Sequence, residues 1–434
     1  MTDFNAIRHY QLEYQRLASS LPGDDQTWMN ALRQQALAQF VLQGFPERKN
    51  EEWKYTSTLA LSKFAFHHEL ANSVVPVALP SPLVTNAYRC VFVDGHFQAD
   101  LSTLPKEIQV QPLSVALKSP TQALRDHLGS IATTSKDGIQ SLNAALMQDG
   151  LFIHIPANFQ TEKAIEILHF QMTPELASHY RHLILAESGS RLHVIEVFYG
   201  EADQPTFTNA VTEIAAGPSS QITHTKIIEE SHEAYHVGHV VMTQAKDSVT
   251  TSFVLTLSGG LVRSDTSVHL AAQGALTHLY GLYLGSRNSH IDHHTEVHHT
   301  HPRCTSQELY KGILQDKSRA VFNGKVVVYK DAQKTDATQT NKNLLLSRSA
   351  EVDTKPQLEI FADDVKCSHG ATVGQIDPES LFYLQSRGLS HEQAQELLMQ
   401  AFIADVIEKV EHKELRNAML SRSHRAFMPI GALR

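Results

Sequence analysis

RHLILAESGSRLHVIEVFYG, residues 181–200, holds two short apolar runs rich in β-branched residues, separated by Glu187-Ser188-Gly189-Ser190. Each run has the length of a strand, and the four residues between them have turn chemistry. The texture continues on both sides, in LFIHIPA (151–157), AIEILHFQM (164–172), QITHTKII (221–228), VTTSFVLTL (249–257), ALTHLYGLYLG (275–285) and KVVVYKD (325–331). Ala216-Gly217-Pro218-Ser219 supplies another turn. No convincing helix interrupts the chain from about 150 to 376. So long a succession of short strands excludes a doubly wound α/β sheet and leaves a sandwich, a barrel or a β-solenoid. The strand–turn rhythm suits the stacked coils of a β-helix, although the repeat is irregular.

The flanks read differently. Residues 1–70 are expected to be helical: Trp28, Ala31, Leu32, Ala36, Leu37, Phe40 and Val41 recur at helical spacing, and Gly44-Phe45-Pro46 stops the run. VVPVALPSPLV (74–84) carries Pro76, Pro80 and Pro82 and reads as an extended linker. YRCVFVDGHF (88–97) is a hairpin turning at Asp94-Gly95. Helices return after 376. Asp377 is an N-cap followed by Pro378, Gly388 closes that helix, and Ser390 with Gln393 makes a capping box. Ala394, Leu397, Leu398, Ala401, Phe402 and Val406 then form an apolar stripe, which either caps a solenoid or faces a partner. The chain thus divides into a helical and mixed region (1–150), a β core (151–376) and a helical end (377–434).

Bulk properties narrow the function. The 434 residues are 42% hydrophobic and 19% charged, with net charge −9, and no basic stripe marks a nucleic-acid or anionic-membrane surface. Three dispersed cysteines, Cys90, Cys304 and Cys367, argue against a disulfide framework. The N-terminus has no signal-peptide core and no run of 18 apolar residues occurs, so a cytoplasmic location is expected. GxxxxGK[ST], GxGxxG after a strand, GxSxG and HExxH are all missing, which disfavours a stand-alone ATPase, a Rossmann oxidoreductase, a serine hydrolase or a zincin.

Two stretches carry metal-ligating side chains. NSHIDHHTEVHHTHPRC (288–304) is histidine-rich, and in an extended strand His290, Asp292, His294, Glu296 and His298 share a face. That face is either a metal site, the basis of an alternative reading as a His-rich metal-binding enzyme, or a polar strand surface with stacked rings. Cys367 and His369, at i and i+2, also share a face, with Cα atoms about 6.6 Å apart if extended. They can reach one metal or one cluster edge, but three scattered cysteines cannot complete a four-ligand cluster, so another chain would have to supply the rest.

Several segments resemble the SufB/SufD family of iron–sulfur cluster assembly proteins. They are SQELYKGIL (306–314), AVFNGKVVV (320–328), AQKTDATQTNKNLLLS (332–347), PQLEIFADDVKCSHGATVGQID (356–377), LFYLQSRGLS (381–390), GFPERKNEEWKYTS (44–57) and, more weakly, LNAALMQDGLFIHIP (142–156). Within the family the chain is similar to the SufD type, since the N-terminal cysteine cluster typical of SufB-type chains is absent. The resemblance implies a right-handed parallel β-helix with helical ends, and a non-catalytic subunit working with a SufB-type subunit and a SufC-type ATPase, or forming a homodimer in isolation. It further implies a transient iron–sulfur cluster shared with the SufB-type partner near Cys367 and His369, with His369 the better-supported ligand and a role in iron acquisition. ATPase docking is implied around Leu397, Leu398, Ala401 and Phe402. Trp53-Lys54-Tyr55 reads as a packing anchor, and Asn341 and Asn343 as a side-chain ladder between coils.

Overall fold

The computed structural model describes residues 5–69, 78–133, 137–200 and 205–427. Five helices precede or interleave with the first strands: α1 (Ala6–Leu17), α2 (Thr27–Gln43), α3 (Leu113–Ala116), α4 (Gln122–His127) and α5 (Gly138–Leu146). Asn5 and Asp137 cap α1 and α5 by accepting from backbone N–H groups, and Gly44, at φ +65°, ends α2 as the sequence indicates.

The strands are β1 (Tyr88–Val93), β2 (His96–Phe97), β3 (Gln109–Pro112), β4 (Leu151–Ile155), β5 (Ile165–Gln171), β6 (Ala177–Ala186), β7 (Arg191–Gly200), β8 (Phe207–Ala216), β9 (Gln221–Glu229), β10 (Tyr235–Gln244), β11 (Val249–Ser258), β12 (Leu261–Leu270), β13 (Leu276–Gly285), β14 (His290–His299), β15 (Thr305–Leu314), β16 (Arg319–Val328), β17 (Asp336–Leu345), β18 (Glu351–Ile360) and β19 (Lys366–Gly374). From β4 on, even strands stack into one sheet and odd strands into the other, every one of these ladders parallel. Each coil therefore gives one strand to each sheet, and the chain is a two-sided parallel β-solenoid. The β1–β2 hairpin turns at Asp94 and Gly95, both at positive φ, as a two-residue turn requires. β1 and β3 join the two sheets, so pairing starts ahead of residue 151.

Register explains the irregular repeat. Partners on successive coils lie from 26 residues apart (Tyr235↔Leu261) to 32 (Arg319↔Glu351). The interior is nevertheless in strict alignment: Ile153, Ile184, Ile214, Met242, Val268, Val297, Val326 and Leu358 form one column through eight even strands. Burying each such side chain contributes about 1.5–3 kcal/mol. A slip of one residue would turn a strand's whole inner set outward, so the column also fixes register.

The outer faces are covered as well. Ala177, Phe207 and Val237 on the even sheet pack against Phe40, Trp53 and Phe66 of the N-terminal region. Over the odd sheet lie α7 (His391–Ile407) and α8 (Lys413–Phe427), preceded by the short α6 (Pro378–Ser386). Ile403, Val406, Ile407, Leu415 and Met419 pack there on Ile227, Leu255, Leu282 and Ile313. The C-terminal helices thus cover a flank of the solenoid rather than capping its end, because their apolar stripe meets the outward rows of β9 to β15. Of the proline-rich segment, 74–77 lie outside the described residues. Beyond them Leu83 and Val84 are buried, and Leu83 N–H donates to Glu166 Oε2 at 2.7 Å, so this part packs on the sheet and is no free linker. Among the described residues no helix is long and apolar enough to cross a membrane.

Candidate functional site

β18 and β19 form the last coil. Each is hydrogen-bonded to the preceding strand of its sheet and, among the described residues, to nothing on its other edge. Register carries the interior rows of β17 onto β19: Ala337 faces Cys367, Gln339 faces His369, Asn341 faces Ala371 and Asn343 faces Val373. In β17 those positions are buried, whereas in β19 no further coil among the described residues covers them. His369 is exposed and Val373 is 48% exposed. Beside them Ile360 and Phe361 at the end of β18 also face solvent.

Cys367 sits half-buried at the rim of the interior cluster. Burial, and then the charge of Asp336, push its thiol up from the ordinary cysteine value. At neutral pH it carries its proton, so binding a soft metal here must release that proton. His369 two residues on lies on the same face of an extended strand, as its spacing indicates. A side chain added at Gly370 would meet open space, so that glycine marks room at the site rather than a tight turn.

The floor beneath is a polar network. Asn341 Nδ2 donates to Tyr283 Oη (2.9 Å) and to the Tyr310 carbonyl (3.3 Å), while Asn343 Nδ2 donates to Asn341 Oδ1 (2.6 Å). Tyr283 Oη in turn donates to Asn343 Oδ1 at 2.5 Å. The ladder expected of these asparagines is therefore present, and it ties β17 to β13 and β15. It works because Gly281 and Gly312 leave room: a Cβ there would stand 2.2 Å from the Tyr310 ring and 2.1 Å from the Tyr283 ring. Next to the ladder, Thr295 donates to buried Glu308 at 2.6 Å, and burial pushes the Glu308 carboxyl up to about 7.

The histidine-rich run is β14, central in the even sheet, and its alternate residues do share the outer face. His290 Nε2 lies 2.8 Å from Thr56 Oγ1. His294 reaches Asp292 Oδ1 at 3.0 Å and Glu52 Oε2 at 3.4 Å. His298 stacks on His269 of β12, ring centroids 4.6 Å apart at 2°, and meets Tyr329. Each ring is taken by a different neighbour. Burial would raise the Asp292 carboxyl, but Arg263 and His294 hold it well below the usual carboxylate range. Trp53 is buried against this face with Arg263 over its ring, so the packing anchor expected at 53–55 is Trp53 itself, with Lys54 exposed and Tyr55 half-buried.

The C-terminal stripe splits in two. Val406 is buried against the sheet and Ala394 is buried too, Leu398 and Phe402 are half-buried, and Leu397 and Ala401 are exposed. Lys311 Nζ sits over the Phe402 ring, donates to the Phe402 carbonyl (2.8 Å) and pairs with Asp405 (2.6 Å), clamping α7 to β15. Phe382 and Tyr383 on the neighbouring α6 are also exposed, at 72% and 57%. Sequence reasoning passed over these two aromatics. The available signal was an adjacent aromatic pair on a nine-residue helix with no buried position.

Similarity to known proteins agrees with this architecture. Residues 169–402 match the SufBD core domain of the SUF system for FeS cluster assembly, and residues 5–167 match the SufBD protein N-terminal region. The iron–sulfur cluster assembly protein SufD of Escherichia coli is 34% identical over 396 residues, covering 90% of this chain and 91% of that protein. An iron–sulfur cluster assembly SufBD family protein of Synechocystis is 30% identical over 391 residues, 86% of each chain. The Bacillus subtilis SufD is 25% identical over 295 residues, 66% of this chain and 68% of that one.

Proposed function

This chain belongs to the SufBD family of iron–sulfur cluster assembly proteins, and from that premise we propose that it is a SufD-like, non-catalytic scaffold that joins a SufB-type subunit through the open end of its solenoid. The observation that carries the proposal is the last coil, where unpaired strand edges stand beside Cys367, His369 and the exposed apolar side chains Val373 and Phe361. Unpaired edges accept a further strand through main-chain hydrogen bonds, and exposed apolar residues supply the burial that holds it.

The cluster is cargo here, shared across the join. His369 offers an imidazole nitrogen to iron, and Cys367 becomes a ligand once its proton is displaced. Two ligands from this chain leave the partner to complete the set. His369 is the iron-acquiring residue and Cys367 its neighbour at the rim. A SufC-type ATPase docks on the outward face of α6 and α7, through Leu397, Phe382 and Tyr383 with half-buried Leu398 beside them, while Phe402 braces α7 against the sheet. Hydrolysis belongs to that partner, in keeping with the missing phosphate-binding loop. The assembly works in the cytoplasm.

Co-expression with a SufB-type and a SufC-type protein tests the reading. A ternary complex should co-purify, and His369→Ala should leave the complex intact while lowering its iron and sulfide content after reconstitution. Unchanged loading removes the ligand role. Failure of the chain to bind either protein removes the scaffold role, and a stable homodimer that no SufB-type subunit displaces would assign the coil end to self-pairing.

A further inference from the structure

The even sheet carries a second group of metal-ligating atoms, about 14 Å and three coils away from the open end at the usual strand spacing. His239 on β10 and Asp265 on β12 are register partners, both on the outer face and both buried. Over them stands Asp137, the N-cap of α5, which belongs to the helical layer. One donor atom from each of the three lies within 4.8 Å of the others.

We propose that Asp137, His239 and Asp265 form a divalent-metal site that fastens the N-terminal helical layer to the solenoid, taking a first-row transition ion such as Zn2+, Co2+ or Fe2+. His239 Nδ1 is 3.6 Å from Asp265 Oδ2. That is long for a hydrogen bond, yet it suits two donors sharing one ion at bond lengths of about 2.1 Å, which stand roughly 3–4 Å apart. Asp137 Oδ1 accepts from Gln140 N–H at 2.8 Å, leaving the second oxygen for the ion. Arg263 orients Asp265 through both oxygens, Nε donating to Oδ1 at 2.5 Å and Nη2 to Oδ2 at 3.3 Å, a long bond that still lets Oδ2 share a lone pair with an ion, and the same guanidinium holds Asp292 at 2.7 Å through Nη1. Hydrogen-bonded carboxylates of this kind are the usual support of a metal ligand.

Charge and access also favour a cation. Carboxylates of Asp137, Asp265, Glu52 and Glu296 line the adjoining clefts, with Arg263, Lys325 and His294 on the same walls, Lys226 in electrostatic reach of Asp265, and Arg263 further engaged by Asp292. A cleft of about 250 Å³, lined by Asp137, Asp265, Arg263, Trp53 and Glu52, opens beside it and gives an ion a route in. One imidazole nitrogen with two carboxylate oxygens is a borderline donor set, harder than thiolate sites and softer than all-oxygen calcium cages, and it leaves positions for water. Because the ligands come from two layers, the bound ion stabilises the docked arrangement by mass action.

The test uses the full chain after chelator treatment. Co2+ is titrated in and followed by its visible absorption, Zn2+ by calorimetry, and each is paired with a thermal melt. The wild type should bind one ion at this site, without a thiolate charge-transfer band, and melt at a higher temperature with metal than without. Asp137→Asn preserves the cap, since asparagine serves there as well as aspartate. It should weaken binding by about tenfold or more and abolish the metal-dependent rise in melting temperature. His239→Gln should do the same, with circular dichroism confirming the fold of both variants. His290→Gln, His298→Gln and a Cys367→Ser/His369→Ala double variant should bind as the wild type does, which separates this site from the β14 histidines and from the coil end. Absence of binding by the wild type, or wild-type binding by both Asp137→Asn and His239→Gln, overturns the proposal.

Discussion

Arg263 sits over Trp53, its guanidinium carbon 4.4 Å from the ring centroid, while its Nη1 donates to the Glu52 carbonyl at 2.8 Å. This cation–π contact and hydrogen bond lock the 51–53 turn onto the middle of the even sheet. Trp53→Ala should cost about 3–5 kcal/mol of unfolding free energy, as loss of a buried aromatic does, and Trp53→Phe clearly less. Urea unfolding of the two variants measures the difference. A cost below about 1 kcal/mol for Trp53→Ala would remove the anchoring role.

Glu308 makes stability pH-dependent from inside the solenoid. Its carboxyl is raised to about 7 by burial, against the opposing hydrogen bonds from Thr295 and Gln339. The folded state therefore holds this proton more tightly than the unfolded one. The stability it contributes is complete below about pH 4.5 and drains away as the pH rises through about 7. Glu308→Gln has no proton to lose, so it should match the wild type near pH 4.5 and exceed it at pH 8 by on the order of 3 kcal/mol. Parallel denaturation curves at the two pH values decide this, and a pH-independent difference would contradict it.

Val373→Asp addresses the coil end without touching the interior proper. The side chain is nearly half exposed, so folding stability should change by no more than about 0.5 kcal/mol. Joining to a SufB-type subunit should be lost, because a carboxylate would then have to be buried in the join. Size-exclusion chromatography of the mixed subunits reads the outcome, and undiminished pairing would place the join elsewhere.

Phe382→Ser with Tyr383→Ser should leave the isolated chain as stable as before, since α6 buries none of its residues. Binding of a SufC-type ATPase should weaken by about tenfold or more, the effect expected when exposed aromatic anchors are truncated. Titration calorimetry against the ATPase is the measurement, and equal affinity would exclude α6 from the docking face.

Much of this was legible beforehand, and what was not has identifiable causes. Strand texture between 151 and 376 was plain, because β-branched runs and turn residues act locally. Coil stacking was only faintly visible, since register partners drift between 26 and 32 residues apart. Alternation put His290, His294 and His298 on one face correctly. Their neighbours Thr56 and Glu52 lie more than 230 residues earlier, beyond any local pattern. Likewise Cys367 and His369 were seen to share a face, but nothing in β19 itself announces that no coil follows. The α7 stripe said that the helix packs without saying where, so the flank of the odd sheet could be found only in three dimensions. His239 and Asp265 escaped notice because each is unremarkable within its own strand, and only stacking makes them neighbours.

The unpaired edges of β18 and β19 have a consequence for how such a protein changes over time. In the proposed join, adhesion is written in peptide groups, which every residue but proline carries and no ordinary substitution erases. Discrimination must then rest on the few side chains that stand at the rim. A handful of replacements at positions such as His369 and Val373 could redirect the chain from one companion to another, or back onto itself, while the stack behind them stays the same.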